Sequence, residues 1–594
     1  MIDSFPPGLI LIVGALLVPF LRGRGQQAWL LLLPLLSAAQ LLHQVYSHPE
    51  SLSNPDGFQI GLTLFGYDLL PIRVDRLSLV WGTIFHIAAF VCALYAIHVK
   101  DWVQHVSALL YVGAAIGAVF AGDLLTLFVY WELTAVSSAF LIWASRNERS
   151  YRAGMRYLII QVGSGVILLS GTLLHLRDTG SLSFVDAFHW HLPSTEDYFL
   201  GLNSPGTALI FIAFGIKAAF PLLHNWLEDA YPEATVTGTV FLSAFTTKLA
   251  IYALARGFPG TEILIWIGVA MTAFPIFFAV IENDLRRVLA YSLNNQLGFM
   301  VVGIGLANFA THPAVAQLAL NGTAAHVFAH ILYKALLFMT MGAVLYRTGT
   351  IKGSELGGLY KSMPWTTAFC IIGAASISAF PLFSGFVTKS MILTAAAERH
   401  QTVVWLVLLF ASAGVFHHSG IKIPFFAFFA HDCGKRVKEA PLNMLLAMGI
   451  SAALCVIIGV LPGPLYSILP YQVDYNAYTT SHVITQLQLL LFSALAFTVL
   501  NLTAVYPPEL PSVNLDTDWI YRKLLPAVIA RIHVVGAGIR ASADRLLLAV
   551  LHQASTWIQT QCGPQGPLGR SWSTSGMVIW AAILLGAYLI FFYL

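Results

Sequence analysis

The chain has 594 residues, 57% of them hydrophobic and only 10% charged, with a formal net charge of +3. Soluble domains carry about 25% charged residues, so this composition excludes a water-soluble globular protein, and the apolar excess must face lipid. The near-balance of charge gives no footing for nucleic acid. The five scattered cysteines, Cys92, Cys370, Cys433, Cys455 and Cys562, form no CxxC pair and argue against disulfide staples, zinc and iron–sulfur ligation.

Crossing the hydrocarbon takes roughly 20 apolar residues, and about sixteen such stretches recur along the chain. The N-terminus, MIDSFPPGLILIVGALLVPFLRGRG, lacks a basic start and a small-residue cleavage pattern, so it reads as a first helix over 8–21 and not as a cleaved signal. Spans follow at 27–44, 77–98, 106–120 and 122–144, the last with Glu132 at its middle. Next come 154–175, 206–224 with Lys217, 235–255 with Lys248, 262–281 and 287–306. The span 323–346 holds His326, His330 and Lys334, and 366–397 holds Lys389; 401–430, 443–469, 484–505 and 574–594 complete the series.

Loop charge orients these spans. Arg22 and Arg24, the run Arg146, Arg149, Arg152 and Arg156, then Arg286 and Arg287, Arg347, Lys352 and Lys361, and finally Lys435, Arg436 and Lys438 all fall on one side if each span crosses once. The opposite loops carry mainly Arg73, Arg76, Arg177, Arg256 and Arg399. The positive-inside rule then puts the arginine-rich loops in the cytoplasm and both termini outside the inner (plasma) membrane. Residues 515–572 mix apolar residues with Arg522, Lys523, Arg531, Arg540 and Arg545. That pattern reads either as an amphipathic helix along the membrane surface or as a cytoplasmic tail packed on its own protein.

The tetrapeptide AFPL occurs at 219–222 and again at 379–382, in the seventh and twelfth spans, each time followed by polar residues at membrane depth. An odd offset makes the two spans run in opposite directions, the signature of an inverted repeat with one discontinuous helix per half. Pro221 frees the carbonyl of Lys217, and Pro381 that of Ile377. In lipid such carbonyls must face protein or water. A single proline would mark a simple kink; two in matching positions, each near a lysine, point to function.

Glu132 and the lysines 217, 248, 334 and 389 would together cost about 12–17 kcal/mol at helix centres if left unpaired. His326, His330 and Lys334 recur every four residues and share one helix face along about 12 Å. A lone buried histidine is best explained by a hydrogen bond to a neighbouring carbonyl; three groups in register ending at a lysine favour a proton relay. A buried lysine that loses and regains a carboxylate neighbour loads and releases a proton near neutral pH. Glu132 is the mid-span glutamate, and Lys217 its natural partner.

The segments VYWEL at Glu132, FGIKAAFPLLHNWLEDA at Lys217, ENDLRRVLAYSLNNQLGFM at 282–300, HVFAHILYKALLF at 326–338 and FPLFSGFVTKSMIL at 380–393 carry a resemblance. Over about residues 100–430 the chain resembles the antiporter-like membrane subunits shared by respiratory complex I, membrane-bound hydrogenases and Mrp-type cation/proton antiporters. The resemblance implies an all-α polytopic bundle of about fourteen to sixteen helices with two inverted five-helix repeats. Glu132 and Lys217 become the coupled pair, Lys248 the central connection, the His326–His330–Lys334 group the relay, and Lys389 the exit on the outer side. The implied division is 1–100, N-terminal helices; 101–260 and 261–430, the two repeats; 431–510, additional helices; and 511–594, a surface segment with a final span.

Lysine at 248 and 389 looks more like the D-type Mrp subunit than the longest subunit of complex I, and the segment GVFHHSGIKIPFFAFFAHDCGKR (414–436) also resembles D-like sequences. The expected function is therefore proton translocation within a multisubunit monovalent cation (Na+/H+) antiporter. The partners are other membrane subunits, protons and the lipid bilayer, with Na+ as the counter-ion. No cofactor or metal is expected in the chain itself. The alternatives are a proton-pumping subunit of complex I or a hydrogenase, with redox chemistry in the partners, and a proton-driven subunit of an inorganic-carbon uptake complex. A non-conducting scaffold has no reason to bear these charges, and a self-contained solute transporter would need a ligand-shaped midplane pocket.

Overall fold

Apolar runs that begin on short polar side chains set the helices. The computed structural model describes all residues except 1–4, 55, 185–203, 504, 508, 509, 511–513 and 515. In chain order the helices are α1 (Leu9–Ala15), α2 (Gly23–Ser47), α3 (Glu50–Ser53), α4 (Arg76–Ala96), α5 (Trp102–Val119), α6 (Leu124–Trp143), α7 (Glu148–Thr179), α8 (Pro205–Lys217), α9 (Asn225–Ala230), α10 (Gly238–Ala244) and α11 (Thr246–Gly257). They continue as α12 (Ile263–Ile281), α13 (Leu285–Leu306), α14 (Pro313–Thr348), α15 (Pro364–Ile377), α16 (Ser384–Glu398), α17 (Thr402–Val415), α18 (Leu442–Val460), α19 (Gly463–Ser467), α20 (Thr480–Leu502), α21 (Leu525–Cys562) and α22 (Thr574–Tyr593). An antiparallel hairpin of β1 (Phe58–Leu64) and β2 (Tyr67–Val74) precedes α4, in a stretch for which hydropathy predicts no span.

Caps fix the helix starts. Asp75 accepts from the Ser78 amide and Ser78 returns a bond to Asp75, a capping box at α4. Asn147 and Ser150 do the same for α7. Asp123 and Asp284 cap α6 and α13, and each also forms an isolated bridge, to Ser183 and to Lys352. These two aspartates hold matching places in the two halves, as the two AFPL segments do.

The chain forms two units, residues 1–514 and 515–594. In the first, α14 and the stretch Gly238–Gly257 are the most enclosed spans, their apolar windows wholly buried within the protein. The result is an all-α membrane bundle of two inverted five-helix repeats. Among the described residues thirteen helices are long and apolar enough to cross a bilayer, and Leu9–Phe20, α8 and α15 are shorter apolar helices. The expected span 8–21 is one of these: α1 stops after seven residues and a 3-10 turn at Val18–Phe20 follows. Leu9–Phe20 reaches about 18 Å at 1.5 Å per residue, well short of the roughly 30 Å of hydrocarbon.

In the second unit, a π-helical turn at Ile520–Leu524 runs into α21, whose 38 residues include no buried side chain. At 1.5 Å per residue α21 is about 57 Å long, nearly twice the hydrocarbon thickness, so it does not fit a single upright crossing. The final helix, α22, carries 20 residues, from Thr574 to Tyr593.

Candidate functional site

The two AFPL segments adopt one conformation. Ala219 and Leu222 have φ of 62° and 70°, and Ala379 and Leu382 have 56° and 74°. These left-handed angles are costly for side chains that carry a Cβ, so the surrounding structure must hold them in place. The local bonds also repeat: the Phe220 amide donates to Gly215 at 3.0 Å and the Phe380 amide to Ala375 at 3.0 Å. Proline cannot continue the ladder, so α8 ends at Lys217 and α15 at Ile377. With 13 and 14 residues, each half-helix reaches about 20 Å, and unwound chain completes the crossing.

The two breaks carry their lysines differently. In the first, Lys217 is the last helical residue before the break. Its ammonium donates to the Trp131 carbonyl and the Thr134 hydroxyl, both at 2.8 Å, and lies 4.2 Å from the centre of the Trp131 ring. In the second, Lys389 follows the break on α16 and donates back to the freed Ile377 carbonyl at 3.2 Å. The corresponding place in the first half holds Asp229, which accepts from Arg156 at 2.6 Å. At the first break the Trp226 indole donates to the Ile216 carbonyl at 2.9 Å.

Glu132 and Lys217 lie within electrostatic range of each other, but neither donates nor accepts a direct hydrogen bond with the other. Glu132 Oε1 is buried without a hydrogen-bond partner among the described residues. It sits in a notch on α7: a Cβ at Gly165 would stand 1.4 Å from it. The carboxylate and the ammonium are thus held apart by their separate seats.

Lys248 lies one turn beyond a break between α10 and α11, at Phe245, and its ammonium donates to the Ser243 carbonyl at 2.5 Å. Its charge neighbours His330 and Lys334. No hydrogen bond joins Lys217 to Lys248 among the described residues, so the step between them crosses a gap. On α14, His326 and His330 follow one another along one face with ring centres 6.2 Å apart and the rings tilted by 48°. His326 Nε2 meets Gln296 Oε1 at 3.2 Å and its Nδ1 meets the Thr388 hydroxyl at 3.2 Å. Tyr333 also donates to Gln296, at 3.2 Å. Thr388 precedes Lys389, so the relay face ends beside the second break. Both ring nitrogens of His330 and Nζ of Lys334 are fully buried with no hydrogen-bond partner among the described residues.

Glu132, Lys217, Lys248, His326, His330, Lys334 and Lys389 therefore all lie within the first unit on helices that pack together. Sequence reading missed the groups that seat them: Thr134, Gly165, Gln296, Tyr333 and Thr388. It also passed over Lys422, fully buried in a π-helical stretch at Phe416–Lys422. Lys422 donates to the carbonyls of Ala279, Val280 and Glu282 at 3.2, 2.6 and 2.7 Å, closing the C-terminal end of α12. A lysine inside an apolar run was the available signal. Outside the spans, Asp75 is buried between Arg73 at 3.1 Å and Arg256 at 2.5 Å, tying the hairpin and α4 to α11.

Residues 121–416 match the family described as NADH:quinone oxidoreductase/Mrp antiporter, TM. Hydrogenase-4 component B of Escherichia coli strain K12 is 28% identical over 431 residues, 66% of this chain and 63% of that protein. The A-type subunit of the Na(+)/H(+) antiporter of Alkalihalophilus pseudofirmus is 32% identical over 396 residues, 61% of this chain and 48% of that protein. The chain thus spans 48–63% of the length of these relatives. A chain of the membrane-bound sulfane sulfur reductase, an archaeal respiratory membrane complex, superposes with a TM-score of 0.70 at 20% identity, covering 99% of this chain and all of that one.

Proposed function

The chain belongs to the antiporter-like membrane subunits that Mrp antiporters, complex I and membrane-bound hydrogenases share, and we propose that it carries protons across the bilayer within a multisubunit monovalent cation/proton (Na+/H+) antiporter. The observation that carries this reading is the set of titratable groups reaching from the half-buried Glu132 through enclosed lysines and histidines to Lys389, with too few protein partners to neutralise them. His330 and Lys334 lie at the centre without hydrogen bonds from described residues. Groups so placed would each cost on the order of 1–3 kcal/mol, and a scaffold would have lost them.

In this reading, movement of the Glu132 carboxylate toward or away from Lys217 sets whether Lys217 holds its proton. A proton released there passes by way of Lys248 to Lys334, then along His330 and His326, and Lys389 releases it beyond the second break. The chain's own residues hold and pass the proton; the driving force comes from partner subunits. Residues 101–260 and 261–430 are the two working halves, 1–100 and 431–510 flank them, and 511–594 contacts neighbouring subunits. The arginine-rich loops are cytoplasmic and the N-terminus is outside the inner (plasma) membrane. A second reading, the corresponding subunit of a redox-driven proton pump, draws on the 28% identity to Hydrogenase-4 component B.

The test is transport by the intact complex in everted membrane vesicles. Glu132→Ala and Lys217→Ala should each abolish coupled proton movement while assembly persists, and Lys389→Ala should block release at the outer end. Full activity in the first two variants refutes the relay. Proton flux driven by a Na+ gradient supports the antiporter; flux that appears only with a reductant favours the second reading.

A further inference from the structure

The π-helical stretch Phe416–Lys422 carries a buried histidine that the relay does not use. Pro424 follows this stretch; it has no N–H for the carbonyl of Gly420, and its ring crowds that carbonyl. The helix widens ahead of it, a distortion common at functional sites. The widened turn places His418, Ser419, Lys422 and Ile423 together on the buried face. Gly420 lets this face close on the second break: a Cβ there would meet the Ser378 hydroxyl at 2.4 Å, and Ser378 directly follows the last residue of α15.

His418 is fully buried. Its Nδ1 lies 2.9 Å from the Ser419 hydroxyl, and that hydroxyl donates to the Ser292 hydroxyl on α13 at 2.7 Å. Because Ser419 gives its proton to Ser292, it accepts from His418, which puts the ring proton on Nδ1. Nε2 then carries a lone pair, and it has no hydrogen-bond partner among the described residues. The charged neighbours of His418 are Lys334 first, then His417, Lys422 and Lys389. One turn further along, Lys422 is fixed on the carbonyls that end α12, beside the first turn of α13, which carries Arg286 and Arg287. His418 thus stands between the arginine-rich face of the bundle and the middle of the relay.

We propose that His418 is a further proton-carrying residue, the inner end of an entry route that opens beside Lys422 at the arginine-rich face and delivers to Lys334. The inference rests on the proton-translocating reading above. A proton from the aqueous phase binds the Nε2 lone pair and makes the imidazolium. The Nε2–H bond then breaks as the proton passes to the neutral Lys334 amine, directly or through water, forming the ammonium. The imidazole returns to its neutral form with Nδ1–H still on Ser419. The Ser419–Ser292 pair acts as the positioning element that keeps the acceptor nitrogen turned away from the hydroxyl. Loading of Lys334 would depend on the charge on the neighbouring Lys248, so proton flux would need both His418 and the Glu132–Lys217–Lys248 line.

The experiment compares three variants of the intact complex in everted vesicles. His418→Gln removes the titratable ring and should lower proton flux by about 10²-fold, the usual scale of a lost acid–base group. Ser419→Ala frees the ring without removing it and should lower flux severalfold, a loss that Ser419→Thr, which keeps the hydroxyl, restores. Flux within twofold of wild type in either His418→Gln or Ser419→Ala overturns the proposal. Glu132→Ala is measured alongside: if it leaves flux intact the relay reading itself fails, whereas its loss of flux together with an active His418→Gln variant removes only the entry route. If His418→Gln does not assemble, the Ser419→Ala and Ser419→Thr pair decides.

Discussion

Gly165 is the most direct handle on the Glu132 carboxylate. A Cβ at this position would lie 1.4 Å from Oε1, 2.5 Å from the carboxyl carbon and 3.2 Å from Cγ. Ordinary contact begins near 3.4 Å, so in Gly165→Ala the carboxylate must move by about 2 Å. The helix cannot easily retreat instead, because α7 and α8 meet backbone to backbone at Gly171 and Gly206. A displacement of about 1 Å in a reacting group already costs on the order of 10²-fold, so coupled proton flux should fall by at least about 10²-fold while assembly is unchanged. Gly163→Ala is the control: two residues away on the same helix, its Cβ would meet nothing within 4 Å, and flux should match wild type. In a Glu132→Ala background the notch is empty and Gly165→Ala should add no further loss. Dye-reported proton uptake in everted vesicles, with subunit levels checked by immunoblot, measures all three. Wild-type flux in Gly165→Ala would refute the claim that the position of this carboxylate matters.

Other outcomes follow from the same geometry. Thr134→Val removes one of the two acceptors of the Lys217 ammonium and should lower flux about tenfold, roughly the cost of a hydrogen bond to a charged group, with normal assembly. Lys422→Met uncaps the carbonyls at the end of α12 and should lower the thermal unfolding temperature of the purified protein; an unchanged melt would contradict the capping role. Asp75→Asn leaves Arg73 and Arg256 buried without a counter-charge and should destabilise by about 3–5 kcal/mol, read as a drop in the unfolding midpoint. Burial would raise the Asp75 carboxyl, but the guanidiniums of Arg256 and Arg73 override it and hold it down to about 2. A depressed carboxylate contributes its stability in full above its ordinary value, 3.8, and loses it as pH falls toward 2. That contribution is about 2 kcal/mol, so this group should leave the melting temperature flat from pH 8 to about 5 and lower it below about 4, a drop that Asp75→Asn should lack.

Much of the architecture was legible because lipid imposes a rule on every residue of a span. An apolar run of sufficient length can only be satisfied as a helix, so most spans could be read residue by residue. The failures lie where a local rule met a competing one. Over 8–21 the apolar run is interrupted by Pro19 and yields only a short helix. At 58–74, two short strands lay below any span-length window. The π-helical turn at Phe416–Lys422 kept the apolar pattern and hid the change in phase that buries His418 beside Ser292.

The sequence by itself determined that the protein is a polytopic membrane bundle, that Glu132 and the lysines 217, 248, 334 and 389 lie inside apolar spans, that His326, His330 and Lys334 share a face, and that AFPL repeats. Each of these follows from composition, from spacing along one helix, or from identity between two segments. The tertiary structure alone decided what the charges touch. Lys217 reaches Thr134 across 83 residues of sequence, and Lys334 neighbours Lys248 and His418 on helices far from its own. It also placed Gly165 under the Glu132 carboxylate and turned Lys389 back onto Ile377. Hydropathy and periodicity act within one segment, whereas these contacts depend on which faces of distant helices meet, and that is set by side-chain packing over the whole bundle.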